Sequence, residues 1–307
     1  LTEDQIRQVI DSGVTWIKNA QEKNGHFRYE YMPFWDRYVL DDNIVRQAGA
    51  LYLLGEIAKR SDNYDLKSNI KRALDYIQAN SVSSTFNGYE FRCLLRTPES
   101  CNLGGTSLAL VGALDLVTKY PALEKDYSEL ISDYKNFIMA VKIPEKGFMG
   151  SYYLKKDQSD SESPFSNGEA LLALVRYYIY EPTDDVKKVI EESLGYFDKT
   201  YRVKWDPNFY LWGMAAIKDY YKLFPEQKYF DFVKDYTNWR VSGQKDQRET
   251  SHNKCAYIEG VISAYSVLST NLSESEKENY LEEINFWLNK SKSLQIKKSD
   301  ILTINFN

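Results

Sequence analysis

The sequence predicts an all-α fold, a barrel of alternating helices with apolar ones inside and amphipathic ones outside. Two patterns carry that prediction. Five segments rich in Ala, Leu, Val and Gly and poor in charge recur along the chain, as in LGGTSLALVGALDLV from Leu103. Between them run segments with apolar residues at helical spacing on one side and charge on the other. A helix that is apolar nearly all round belongs in an interior, and one with a single apolar stripe belongs around it.

In chain order, the first outer helix is expected at about 3–22 and the first inner helix at about 42–59. That inner helix opens on Asp41, Asp42, Asn43, Arg46 and Gln47 and then turns apolar. The second outer helix, about 64–80, sets Leu74, Tyr76 and Ile77 around Lys71 and Asp75. The second inner helix, about 103–119, carries Gly104, Gly105 and Gly112, small residues that let neighbouring helices approach. Outer segments follow at about 125–142, 184–199, 227–240 and 274–291, with inner ones at about 167–180, 208–224 and 254–269. Inner helices thus begin roughly every 40–65 residues, an irregular internal repeat. The chain reads as helical throughout and as one domain over 1–291, with a C-terminal extension at 292–307. A sixth inner helix is expected after the last outer one, and the tail SLQIKKSDILTINFN is too short and polar to supply it. The ring is therefore incomplete or continues beyond Asn307. Connections before the inner helices are long and aromatic, and those after them are short, as at Pro121 and Glu181-Pro182. Functional loops should gather where the inner helices start.

The local motif Trp16-Ile17-x-x-x-Gln21-x-x-x-Gly25-x-Phe27 resembles the outer-helix end and turn of the α/α-toroid superfamily. Echoes are Tyr76-Ile77 with Gly88-Tyr89, and Phe137-Ile138 with Gly147-Phe148. The superfamily includes six-hairpin glycosidases, uronate-processing enzymes, terpenoid cyclases and prenyltransferases. The resemblance covers most of the chain and implies a toroid of helical hairpins.

Composition removes several classes of function. A formal net charge of -5 and the absence of a dense Lys/Arg block argue against nucleic acid as a partner. No apolar stretch reaches the roughly 20 residues of a membrane span. No signal peptide is visible, and the chain begins at Leu1, which leaves its compartment open. Cys93, Cys101 and Cys255 form no disulfide framework. Cys93 and Cys101 could pair, but buried free thiols are the expectation. Zinc would need Cys255, His252 and a carboxylate to converge, so no metal or cofactor is expected. The aromatic connections around Tyr29, Tyr31, Phe34, Trp35 and Tyr38, and Tyr152 with Tyr153, suit a wet cleft.

Polar groups cluster at the inner-helix starts and point to a shared pocket. Asp42 and Glu169 are the first candidates for acid/base work, with Asp41, His252, Tyr257 and Glu259 behind them. Arg46, Asn43, Glu99, Asn102, Asn167, Trp35, Asn208 and Tyr210 are candidates for substrate contact. Capping competes as an explanation, since Asp42, Asn102, Asn167, Asn208 and Asn253 are good N-cap types. Arg46, one turn inside an apolar helix, should be buried and paired with Asp41 or Asp42. Glu259, deep in another, should have a perturbed pKa.

Converging carboxylates with aromatic walls suit a carbohydrate-active enzyme, because glycosidic cleavage needs two carboxyl groups about 5–9.5 Å apart across a cleft. Asp41 or Asp42, Glu169, Glu249 and Glu259 could supply them. On a uronate-containing oligosaccharide or polysaccharide, Arg46 could pair with the sugar carboxylate and Tyr257 with His252 could move a proton, giving elimination or epimerisation. Two alternatives stand beside this reading. One is a non-catalytic module that binds a glycan or a protein. The other is a terpenoid cyclase or prenyltransferase, but the acid motif Asp-x-Asp-Asp is broken at Val39-Leu40-Asp41-Asp42, and Asn43-Ile44-Val45 rules out Asp-Asp-x-x-Asp.

Overall fold

The computed structural model describes residues 1–242 and 254–295. The inner helices are α2 (Ile44–Arg60), α4 (Leu103–Lys119), α6 (Pro164–Tyr180), α8 (Pro207–Leu223) and α10 (Lys254–Leu268). The outer helices are α1 (Glu3–Ala20), α3 (Lys67–Ala79), α5 (Glu124–Ala140), α7 (Asp184–Val203), α9 (Gln227–Ser242) and α11 (Glu274–Ser293). Consecutive inner helices pack side by side in an arc from α2 to α10, and each of these packs against the outer helix that follows it. The end of α11 meets α1 where Gln295 Nε2 donates to the Val9 carbonyl at 3.0 Å. No helix among the described residues is long and apolar enough to cross a membrane.

Burial explains the alternation. Every residue of α4 from Leu103 to Val117 is buried, whereas α1 buries only Val14, Ile17 and Ala20. Inner helices touch closely where side chains vanish: a Cβ on Gly112 would lie 2.5 Å from Leu51 Cγ. The outer helices α1 and α11 start on reciprocal caps, Thr2 with Gln5 and Ser273 with Glu276, which satisfy otherwise orphaned N–H groups.

The expectation of helices throughout is corrected at the mouth of the barrel. Strands β1 (Tyr31–Met32) and β2 (Arg37–Tyr38) form a small hairpin. Strands β3 (Ser81–Phe86), β4 (Tyr89–Thr97), β5 (Ser100–Asn102) and β6 (Ser151–Tyr153) form an antiparallel sheet in that order. Asn87 and Gly88 turn β3 into β4 with φ of 49° and 80°. Two left-handed residues in succession give the two-residue turn whose twist matches paired strands. Strand β5 runs directly into α4, so the sheet lies where inner helices begin.

The sheet also corrects the cysteine expectation. Cys93 of β4 and Cys101 of β5 are buried and joined in a disulfide, because the antiparallel hairpin brings their Cα atoms to 5.8 Å.

Candidate functional site

A cleft with about 650 Å³ of space opens at the N-terminal ends of the inner helices. Asp42, Asn43 and Arg46 reach it from the start of α2, Arg96 from β4, Asn102 from the cap of α4 and Glu169 from α6. Its depth follows from the repeat. The sixth residues of α2, α4, α6 and α8 are Gly49, Leu108, Glu169 and Trp212, and all four line the cleft. Phe165 is exposed on the same wall, and Trp212 stands edge-on to Tyr52 at 5.2 Å. Two rings facing a wet cleft give apolar platforms of the kind that sugar faces stack on.

Glu169 is the buried carboxyl of this wall. It is 7% exposed, its carboxyl has no hydrogen-bond partner among the described residues, and burial pushes its pKa up to about 8. Burial disfavours the charged form, and no neighbouring cation offsets it. Room for the carboxyl comes from Gly104 on α4, where a Cβ would lie 1.9 Å from Glu169 Oε2.

Asp42 lies in the cleft wall but is heavily engaged. Its Oδ1 accepts from the Asn43 N–H at 2.7 Å and from Gln47 Nε2 at 2.7 Å, and lies 3.4 Å from His26 Nε2. Its Oδ2 accepts from the Tyr76 hydroxyl at 3.3 Å. The same latch recurs one hairpin pair later. Gln47 and Asn167 are the fourth residues of α2 and α6, and each amide oxygen accepts from the N–H of the phenylalanine in the preceding turn: Phe27 at 2.8 Å, Phe148 at 3.0 Å. Each amide nitrogen then donates to an acid five residues earlier, Asp42 or Glu162. Each acid also receives a tyrosine from an outer helix, Tyr76 or Tyr196. The motif ending in Gly25-x-Phe27 and its echo Gly147-Phe148 are therefore the turns that these latches close.

Arg46 corrects the sequence expectation. It is exposed and makes no ion pair with Asp41, Asp42 or any other described carboxylate; its guanidinium stands 5.8 Å over the Tyr29 ring. The buried polar role one turn inside α2 belongs to Gln47 instead, which is 3% exposed.

The buried guanidinium of the barrel is Arg176. Glu56, Asp115, Arg176 and Asp219 each stand four residues before the end of α2, α4, α6 and α8. They meet below the cleft: Arg176 Nη1 lies 3.0 Å from Glu56 Oε1 and 3.6 Å from Asp115 Oδ1, and Nε lies 2.5 Å from Asp219 Oδ2. Lys59 joins Glu56 at 2.7 Å and Asp115 at 2.8 Å. Burial opposes the charge on Glu56, but Arg176 and Lys59 outweigh it and hold the pKa down to about 2. Burial pushes Asp115 up, and its Oδ2 is buried without a hydrogen bond.

Glu259 is the sixth residue of α10, the register of Glu169. Its side chain keeps solvent-accessible surface, yet protein packed round the carboxyl raises its pKa; Arg60 pulls it back down, Glu56 adds to the rise and Lys218 opposes it. Glu259 does not line the cleft that holds Glu169.

The remaining sequence candidates scatter. Asp41 is exposed and accepts from the Asp42 N–H. Glu99 is exposed, 3.9 Å from Lys156. Asn102 caps α4, accepting from the Gly105 N–H at 2.7 Å, and also lines the cleft. The cap of α2 is Asn43 rather than Asp42, and that of α8 is Asp206 rather than Asn208, whose own N–H donates to it. Asn167 is buried inside α6, and Tyr210 is buried with its hydroxyl on Thr237. Tyr257 is buried too and donates to Glu283 at 2.6 Å, away from the cleft. Trp35 is 61% exposed beside Arg37. His252, Glu249 and Asn253 lie outside the described residues. Sequence reasoning missed Arg96, Phe165 and Trp212. The Asn87-Gly88 turn between β-rich runs was the available signal for the hairpin that presents Arg96.

No protein-family model matches the chain, and no curated protein matches it. Solved structures do. A sugar epimerase from a ruminal bacterium superposes with a TM-score of 0.70 at 13% identity, over 93% of this chain and 85% of that one. A D-mannose isomerase gives 0.73 at 10% identity, over 97% and 88%. A glycoside hydrolase family 76 mannosidase from Bacteroides thetaiotaomicron gives 0.58 at 13% identity, over 86% and 80%. The fold is the α/α toroid that these enzymes share.

Proposed function

We propose that the chain is a carbohydrate-active enzyme that processes an oligosaccharide or polysaccharide in the cleft, with Glu169 as its proton-transfer group. The observation that carries this reading is the Glu169 carboxyl itself: buried, without a hydrogen-bond partner among the described residues, opening on a cleft, with a pKa of about 8. A carboxylic acid that keeps its proton at neutral pH is a general acid, and an orphan buried group at a functional position is the usual sign of one. In the ground state it donates to a glycosidic or carbonyl oxygen. As the bond to that oxygen breaks or its charge grows, the proton transfers. Asp42 is the carboxylate on the same wall, and its tether to Gln47 fixes its position. Phe165 and Trp212 supply stacking surface. The names of the three structural neighbours, an epimerase, an isomerase and a mannosidase, support sugar chemistry on this fold.

The test is a panel of neutral and acidic oligosaccharides incubated with the protein and followed by ¹H NMR of the anomeric signals. New anomeric signals are expected with at least one substrate, and none with E169Q. Unchanged spectra, together with no line broadening from binding across the panel, would overturn the proposal.

A further inference from the structure

The cleft holds two guanidiniums beside one carboxylate, Asp42, and the buried Glu169 carboxyl. The formal net charge is -5, yet Arg46 and Arg96 both line the wall that holds Glu169. They arrive from separate elements, α2 and β4, and both are exposed. Among the described residues neither makes an ion pair, and the Arg46 guanidinium stands 5.8 Å over the Tyr29 ring. Arg96 is moreover aimed. The register between β4 and β5 shifts between Leu95 and Thr97, so Arg96 is the extra residue of a bulge. Bulges redirect a side chain and are enriched beside active sites. The Cys93–Cys101 disulfide pins the same strand pair, so the bulge sits on a fixed support.

A second compartment of about 200 Å³ adjoins the cleft and shares Arg96 and Asn102 with it. Ser151, Tyr153, Ser159, Ser161 and Ser163 line it. Hydroxyl groups donate and accept hydrogen bonds alike, which matches the hydroxyls of a sugar ring. Glu162 also lines this compartment, its carboxylate held in place by the Gly147 N–H, Asn167 Nδ2 and the Tyr196 hydroxyl. Arg96 thus stands where two sugar-sized compartments meet, and guanidinium groups bind planar carboxylates in a fork.

We infer that the cleft takes a uronate-containing oligosaccharide, the carboxylate of one sugar lying between Arg46 and Arg96 and the adjoining unit against the serine-lined compartment. This rests on the carbohydrate reading above and adds the substrate class.

Calorimetric titration with galacturonate, glucuronate and mannuronate trisaccharides, each paired with its carboxyl-reduced counterpart, tests it. At least one acidic trisaccharide should bind at least ~10-fold more tightly than its reduced partner, as a charge-assisted contact implies. R96Q should erase that preference, and R96K should restore part of it, since lysine keeps the charge and loses the fork. Arg96 is exposed, so thermal melts of these variants should match the wild type. Equal binding of acidic and reduced partners, or a preference that survives R96Q, would overturn the inference and leave the carbohydrate reading intact. If no trisaccharide of either kind binds, the inference falls, and the wider oligosaccharide panel decides the carbohydrate reading separately.

Discussion

At the scale of single residues, the proposed chemistry turns on Glu169, and Gly104 leaves room for its carboxyl. Burial holds the Glu169 proton in the folded state, with a pKa of about 8 against an ordinary 4.5. The folded protein therefore binds more protons than the unfolded one between those values. The stability that this proton contributes is complete below about pH 4.5 and is lost as pH rises through about 8, roughly 3–5 kcal/mol in all. Calorimetric melts should fall across that window in the wild type and much less in E169Q; parallel curves would mean that the carboxyl titrates normally. G104A should push the carboxyl aside, because its Cβ would lie only 1.9 Å from Oε2. A displacement near 1 Å costs about 100-fold in rate, so turnover should drop by about that factor while the helical circular dichroism stays unchanged.

At the scale of elements, the helices were legible and the mouth was not. The observed ends of the eleven helices among the described residues lie within a few residues of the sequence reading, because a stripe repeating every three to four residues survives whatever loop follows it. The strands failed for the opposite reason. β5 and β6 span three residues each, too short to establish an alternating pattern, and β3 begins directly after a helix. Arg46 was misplaced because residues one turn into an inner helix either face the core, as Gln47 does, or face the cleft. The turn motif was legible as a pattern while its partners were not: the latch from Phe27 through Gln47 to Asp42 and Tyr76 spans four segments. The hairpin that presents Arg96 owes part of its rigidity to the disulfide. Closing a loop of sequence separation 8 is worth about 2.5 kcal/mol in the chain-entropy account. C93S/C101S should lose about that much in urea denaturation, and a variant as stable as the wild type would assign the rigidity to the sheet alone.

At the scale of the whole molecule, the repeat explains how one ring serves two purposes. Positions one turn or so into successive inner helices wall the cleft, and positions two turns further along build the charged layer around Arg176. That layer ties four inner helices at one level, so the barrel can be open and polar at the mouth without splaying. Removing one partner from a buried ion network leaves the others uncompensated, which costs about 3–5 kcal/mol. R176M should destabilise the protein by that amount in urea denaturation and leave the pKa of Glu169, read by ¹³C NMR, near 8; an unchanged stability would deny the layer its structural role. The central claim is that the Glu169 proton drives turnover of a sugar in the cleft. The most direct measurement is the pH profile of kcat/KM on a turned-over oligosaccharide, for the wild type and E169Q. The account predicts that the wild-type value falls as pH rises through about 8 and that E169Q loses about 100- to 10,000-fold while still binding the sugar. A wild-type profile flat across that range, or E169Q turning over at the wild-type rate, would contradict it.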